Sequence, residues 1–205
     1  MRGRAKENLP HVLLTLLSII QALALELLWS HVQEAAPLSL TGWAAIAYWM
    51  QVFSTFLSIV LIWIVYGTNV MRLRWVPGLS DSIYPFLVGI LQFSLVEFLA
   101  PSSAGPWLLL MACIIAVMNW VAHTIFSRAR LEPENAAFFT NFKPGTWRGF
   151  DGAFIAVPTL GLLGCALWLW PREILLNLIA QAVAMIFLAR QLWQLNQYWH
   201  RSMQI

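Results

Sequence analysis

Four ionisable side chains lie inside long apolar runs of this sequence: Glu26, Glu97, His123 and Arg190. An ionisable group held within a bilayer marks a functional site by default. The two acids come with company. "IIQALALELL" spans Ile19–Leu28 and "ILQFSLVEFL" spans Ile90–Leu99, and each places a Gln, four residues, then a Glu. Carboxylates near the outer edge of a membrane attract cations. Two that face each other share a proton or hold a cation, because like charges raise one pKa. Gln21 and Gln92 are uncharged and can link helices by hydrogen bonds. Five residues along a helix is a turn of about 140° and a rise of about 7.5 Å, so Gln and Glu take different faces.

Other chemistries find no constellation in these residues. The apolar runs hold no Lys for a retinal Schiff base, and His11, His31, His123 and His200 form no haem-ligating pair. There is no Gly-rich phosphate loop, serine-nucleophile motif or TVGYG-like filter. Cys113 and Cys165 stand alone, without a CxxC or Cys/His cluster, and are expected as small buried packing residues. The expectation is a protein that is not an enzyme and carries no cofactor or metal.

The elements that must position these groups follow from composition. The chain has 205 residues, 60% hydrophobic and 10% charged, with a mean hydropathy of +0.70. Soluble domains carry about 25% charged residues. A bilayer span needs about 20 mostly apolar residues, and six runs qualify: roughly 12–29, 43–66, 83–99, 107–126, 153–170 and 174–199. Strand-like alternation is absent, so the fold class is all-α, a polytopic membrane bundle forming one domain over 1–205. Ten of twelve basic residues fall at the termini or in the loops after spans 2 and 4. Arg172 lies on the opposite side and Arg190 within span 6. That asymmetry predicts cytoplasmic termini in a bacterial-type inner membrane. It also accounts for the net charge of +3 without nucleic acid. Span 1 resembles a signal peptide with Ala22-Leu-Ala24 as a cleavage site, but is expected to stay as a span.

The spans read as three hairpins, the first two alike. Returning helices carry Trp63, Trp120 and Trp193, a polar residue three later (Tyr66, His123, Asn196), and Arg72, Arg128 and Arg201 beyond. His123 is expected as a helix–helix contact. Asp81 and Asp151 open outward-running helices, where they cap free amides. Arg190 either snorkels to the interface or pairs with one of those two acids.

At the third span the sequence reads "RWVPGLSDSIYPFLVGILQF", and the fourth ends "MNWVAHTIF". This resembles the bacterial and lysosomal-type six-span potassium channels with a Phe-Ser-Asp motif. Leu79-Ser80-Asp81 stands for the tripeptide, and Trp120 and His123 for a Trp and His of a later helix. Leu79 replaces the Phe, Pro85 interrupts the motif, and the motif stands on span 3 rather than span 1. The resemblance implies a pore helix at span 3, with Leu87, Ile90 or Leu91 at a constriction.

The longest loop, 127–152, spreads Phe138, Phe139, Phe142 and Trp147 among charges. It suits an interfacial segment or a docking surface for a cytoplasmic protein. Two functions follow as expectations. One is an oligomeric, channel-like protein for cations, with Glu26 and Glu97 at an outer vestibule. The other is a non-conducting anchor or sensor that recruits a cytoplasmic partner, as a stress or defence system needs. Either has membrane lipids as partners, and the first requires a homo-oligomer.

Overall fold

The structure is a computed structural model that describes residues 2–34, 41–141 and 151–203. Seven α-helices occur among these residues, with no strand: α1 (Arg2–Glu34), α2 (Gly42–Arg72), α3 (Tyr84–Glu97), α4 (Ala104–Ala129), α5 (Ala136–Asn141), α6 (Asp151–Leu169) and α7 (Ile174–Ser202). Five of them (α1, α2, α4, α6 and α7) are long and apolar enough to cross a membrane. The chain therefore reads as a multi-pass membrane protein. The third predicted span is shorter than expected, with 14 residues in α3. Two prolines explain its length. Pro85 sits in the first turn, where its missing N–H is not needed. Pro101 forces Ala100 into extended backbone (φ −155°, ψ 146°), which closes the helix just after Glu97. A 3-10 turn over Leu79–Ser82 leads into α3.

The long helices and α3 pack as a ring in the order α1, α3, α4, α6, α7, α2 and back to α1. Each predicted hairpin has its two helices in contact. The tightest seam joins α4 to α6. A Cβ on Gly105 would lie 2.7 Å from the Trp168 backbone nitrogen, and one on Gly164 would lie 3.1 Å from the Gly105 carbonyl. Small residues at a helix crossing let backbones approach, which is how helices associate where water supplies no drive. Trp107 is fully buried at this level. Cys113 and Cys165 are exposed, against expectation. The glycines and larger aliphatics fill the α4–α6 contact, and both thiols stand off it.

The two ends of the ring differ. At one end are the start of α1, the 73–82 segment, the 128–141 segment and the end of α7, joined by ion pairs and aromatic contacts. At the other, His31 Nε2 lies 3.1 Å from the Leu99 carbonyl, and Asn177 donates to the Pro101 carbonyl at 3.2 Å. Exposed Trp29, Trp43, Trp49, Trp168 and Trp170 gather near this second end. Aromatic belts of this kind mark membrane interfaces.

Candidate functional site

The repeated Gln residues meet. Gln21 Nε2 donates to Gln92 Oε1 at 2.8 Å, and Gln92 Nε2 donates to Gln21 Oε1 at 2.9 Å. Both side chains are buried, 4% and 0% exposed. The pair satisfies one donor and one acceptor on each amide and ties α1 to α3. The two helices run parallel, since Ile20 lies against Gly89 and His31 against Leu99. A small residue stands three positions before each Gln, Ser18 in α1 and Gly89 in α3. A Cβ on Gly89 would come within 2.8 Å of Ile20 Cγ2, so only glycine admits this approach. Ser18 accepts a hydrogen bond from Trp63 Nε1 at 2.9 Å, which draws in α2.

The reciprocal bond places Gln21 and Gln92 on one interface, so the turn of about 140° carries each Glu to the far side of its helix. Glu26 and Glu97 are both exposed. They stand back to back and do not form the facing pair that would share a proton. On α3 and the residue that opens it, the outward face reads Ile83 (61% exposed), Phe86, Ile90 (63% exposed) and Glu97. On α1 it reads Val12, Ile19, Glu26 and Trp29. Of the expected constriction residues, Ile90 alone lies on the outward face with Glu97. Leu87 and Leu91 are half-buried, and Leu91 packs on the core. The three do not converge within one chain.

A second polar feature escaped the sequence reading. Gln51, Ser54, Thr55 and Ser58 follow helical spacing on α2, and all four are at most 2% exposed. Trp107 Nε1 donates to Thr55 Oγ1 at 3.0 Å. Ser58 bonds back to the Thr55 carbonyl. The Gln51 amide and the Ser54 hydroxyl have no hydrogen-bond partner among the described residues. On α7, Gln181 donates to Asn177 Oδ1 at 3.2 Å, and its own carbonyl is likewise unpartnered. Arg72 of α2 lies over Tyr198 and Trp199 of α7, so the two helices run parallel. Eighteen residues back from Arg72 and from Trp199 are Ser54 and Gln181, which therefore share a level. Both helices thus carry buried, uncharged polar groups in the half away from the basic end. Nearer the basic end, Ile59, Leu61 and Ile62 replace them.

No family model, curated protein or solved structure matches this chain. What it does must be argued from its own geometry.

At the basic end, the Leu79-Ser80-Asp81 turn meets α4. Arg128 Nη1 donates to both Asp81 oxygens at 2.6 Å, and Nη2 reaches Ser80 Oγ at 3.4 Å. Asp81 also accepts from the Gly78 amide at 3.0 Å, the local capping expected of it. Its ion-pair partner is Arg128, not Arg190. A side chain at Gly78 would collide with the Arg128 guanidinium, 2.9 Å from a Cβ there. Lys6 bridges Glu132 at 2.7 Å and Glu134 at 2.9 Å. Asn135 accepts from the Arg74 amide and donates to the Arg74 and Ala129 carbonyls. Together these bonds tie three sequence-distant segments into one cap.

The remaining expected residues fall as follows. His123 is half-buried in α4, a turn from Trp120, whose ring meets Tyr84 edge-on at 5.8 Å. Arg190 is exposed, with its guanidinium beside Gly152 at the start of α6. The Asp151 side chain lies outside what the structure describes. Phe138 is buried and faces Tyr198, and Phe139 lies under Arg130. These two rings are engaged within the chain rather than offered as a docking face. Phe142 and Trp147 lie outside the described residues.

Proposed function

We propose that the protein is a homo-oligomer of the bacterial inner membrane that passes small cations between subunits, with both termini in the cytoplasm. The observation that carries this reading is the split of the repeat: each Gln is used inside the chain, and each Glu is turned outward at one depth. A carboxylate directed into lipid costs at least about 2.5 kcal/mol at mid-membrane and less toward the interface. A water-filled vestibule between copies removes that cost, and assembly converts Glu26 and Glu97 into rings of the kind that draw cations into pores. In this reading α3 is the sixth span. Its helix covers about 21 Å and the 3-10 turn before it about 8 Å, close to the ~30 Å of hydrocarbon. Ile90, about two turns below Glu97 on the same face, is the residue best placed to narrow the path.

A second reading is favoured by the ordered basic end. The cap built from Lys6, Asp81, Arg128, Glu132 and Asn135 presents a fixed surface with Leu131 79% exposed. A non-conducting anchor or sensor for a cytoplasmic protein would need such a surface. Flux separates the two. Purified protein in liposomes under a potassium gradient should dissipate it faster than protein-free liposomes. No flux with potassium or sodium rejects the channel reading and leaves the anchor.

A further inference from the structure

An apolar crevice of about 410 Å³ opens at the basic end between α1, α2 and α7. Leu14, Gly67, Met71, Leu192, Leu195 and Trp199 shape it. Gly67 makes it deep: a Cβ there would meet only Leu14 Cδ1, at 3.8 Å. Arg72 follows Met71 and adjoins the crevice through Trp199, with its guanidinium 5.2 Å from the centre of the Trp199 ring and 5.6 Å from that of Tyr198. Three other basic side chains of this end have carboxylates: Lys6 with Glu132 and Glu134, Arg74 with Glu134, Arg128 with Asp81. Arg72 has none among the described residues; its Nε and Nη2 are buried without a hydrogen-bond acceptor there, which leaves Nη1 as the nitrogen to meet a ligand. A cation bedded on aromatic faces keeps its charge available for an anion.

We infer that this crevice and Arg72 form a binding site for one anionic phospholipid of the inner leaflet, its acyl chain in the crevice and its phosphate at Arg72. The chemistry matches along its length. The walls are almost wholly apolar where a chain would lie, and the charge stands at the end where headgroups lie. Basic pockets between helices on the cytoplasmic side hold anionic headgroups in this manner. Guanidinium suits phosphate because its N–H groups are paired in a planar fork. The inference does not depend on conduction, since an anchor protein would keep the same site.

The test is native mass spectrometry of the full chain released from nanodiscs of equal phosphatidylglycerol and phosphatidylcholine. Wild type should retain phosphatidylglycerol about fivefold over phosphatidylcholine, the ratio that one well-placed basic residue supplies. Arg72→Gln should bring the ratio to about one, and Arg72→Lys, which keeps the charge but not the fork, should fall between the two. Gly67→Leu fills the crevice and should reduce retention of both lipids. Circular dichroism of each variant confirms that its helices form. Equal retention by wild type overturns the site. So does an Arg72→Gln protein with the wild-type ratio, which would assign the preference to the basic loops at large. Unchanged retention in Gly67→Leu would remove the acyl chain from the crevice and overturn the inference as well.

Discussion

Gln21 and Gln92 hold a bond that lipid makes hard to replace. Each amide is buried, and each both donates to and accepts from the other. Changing one alone to Leu leaves its partner's amide unsatisfied in an apolar seam, whereas changing both removes the polar demand. A double-mutant cycle of Gln21→Leu and Gln92→Leu should therefore show a coupling of about 0.6 to 1.7 kcal/mol, read from unfolding in detergent micelles. Additive effects would mean that the two amides do not act as a pair. That these amides link helices was legible in the sequence, because two identical side chains recurred at one spacing within apolar runs; that they bond to each other was not, since spacing along a chain does not say which helices are neighbours. The polar stripe on α2 was equally regular, at residues 51, 54, 55 and 58. It was missed because attention to ionisable groups passes over Gln, Ser and Thr, although uncharged groups too must be satisfied inside a membrane.

At the scale of helices, the hydropathy pattern reported the long elements well, since length and apolarity are local properties. It overstated α3, where prolines at both ends trim the helix. It placed both cysteines in the interior because composition cannot say which side of a helix meets a neighbour. Nor could it pair the ions of the basic end. Arg128 and Asp81 are 47 residues apart, and Lys6 and Glu132 are 126 apart. Only the ring order of the helices brings them together. The α4–α6 seam gives the sharpest test of that order. Gly105→Val would drive side-chain carbons into the Trp168 amide and the Gly164 carbonyl, which are backbone and cannot swing away. Overpacking of this kind costs about 1–3 kcal/mol. Thermal unfolding of Gly105→Val should show at least that loss, while Gly161→Val, where a Cβ meets nothing, should change stability little. Equal effects at the two glycines would contradict the packing described.

For the whole molecule, the gathering of the ion-paired basic residues at one end predicts one orientation in the membrane. With Cys113 and Cys165 replaced by Ser, a cysteine at Ser102 should react with an impermeant maleimide on intact cells, and one at Ala137 only after lysis. Both positions are exposed, so access is decided by side rather than by burial. Labelling of the 137 site in intact cells would invert the topology and move Glu26 and Glu97 to the cytoplasmic half. The central claim is that outward carboxylates of neighbouring subunits bound a cation path. Its most direct measurement is the reversal potential of reconstituted protein under a potassium chloride gradient. Wild type should reverse near the potassium equilibrium potential. The Glu26→Gln/Glu97→Gln protein, with its rings of charge removed, should shift toward zero as chloride begins to cross. A wild type without current, or a double variant that reverses at the wild-type voltage, would contradict the claim.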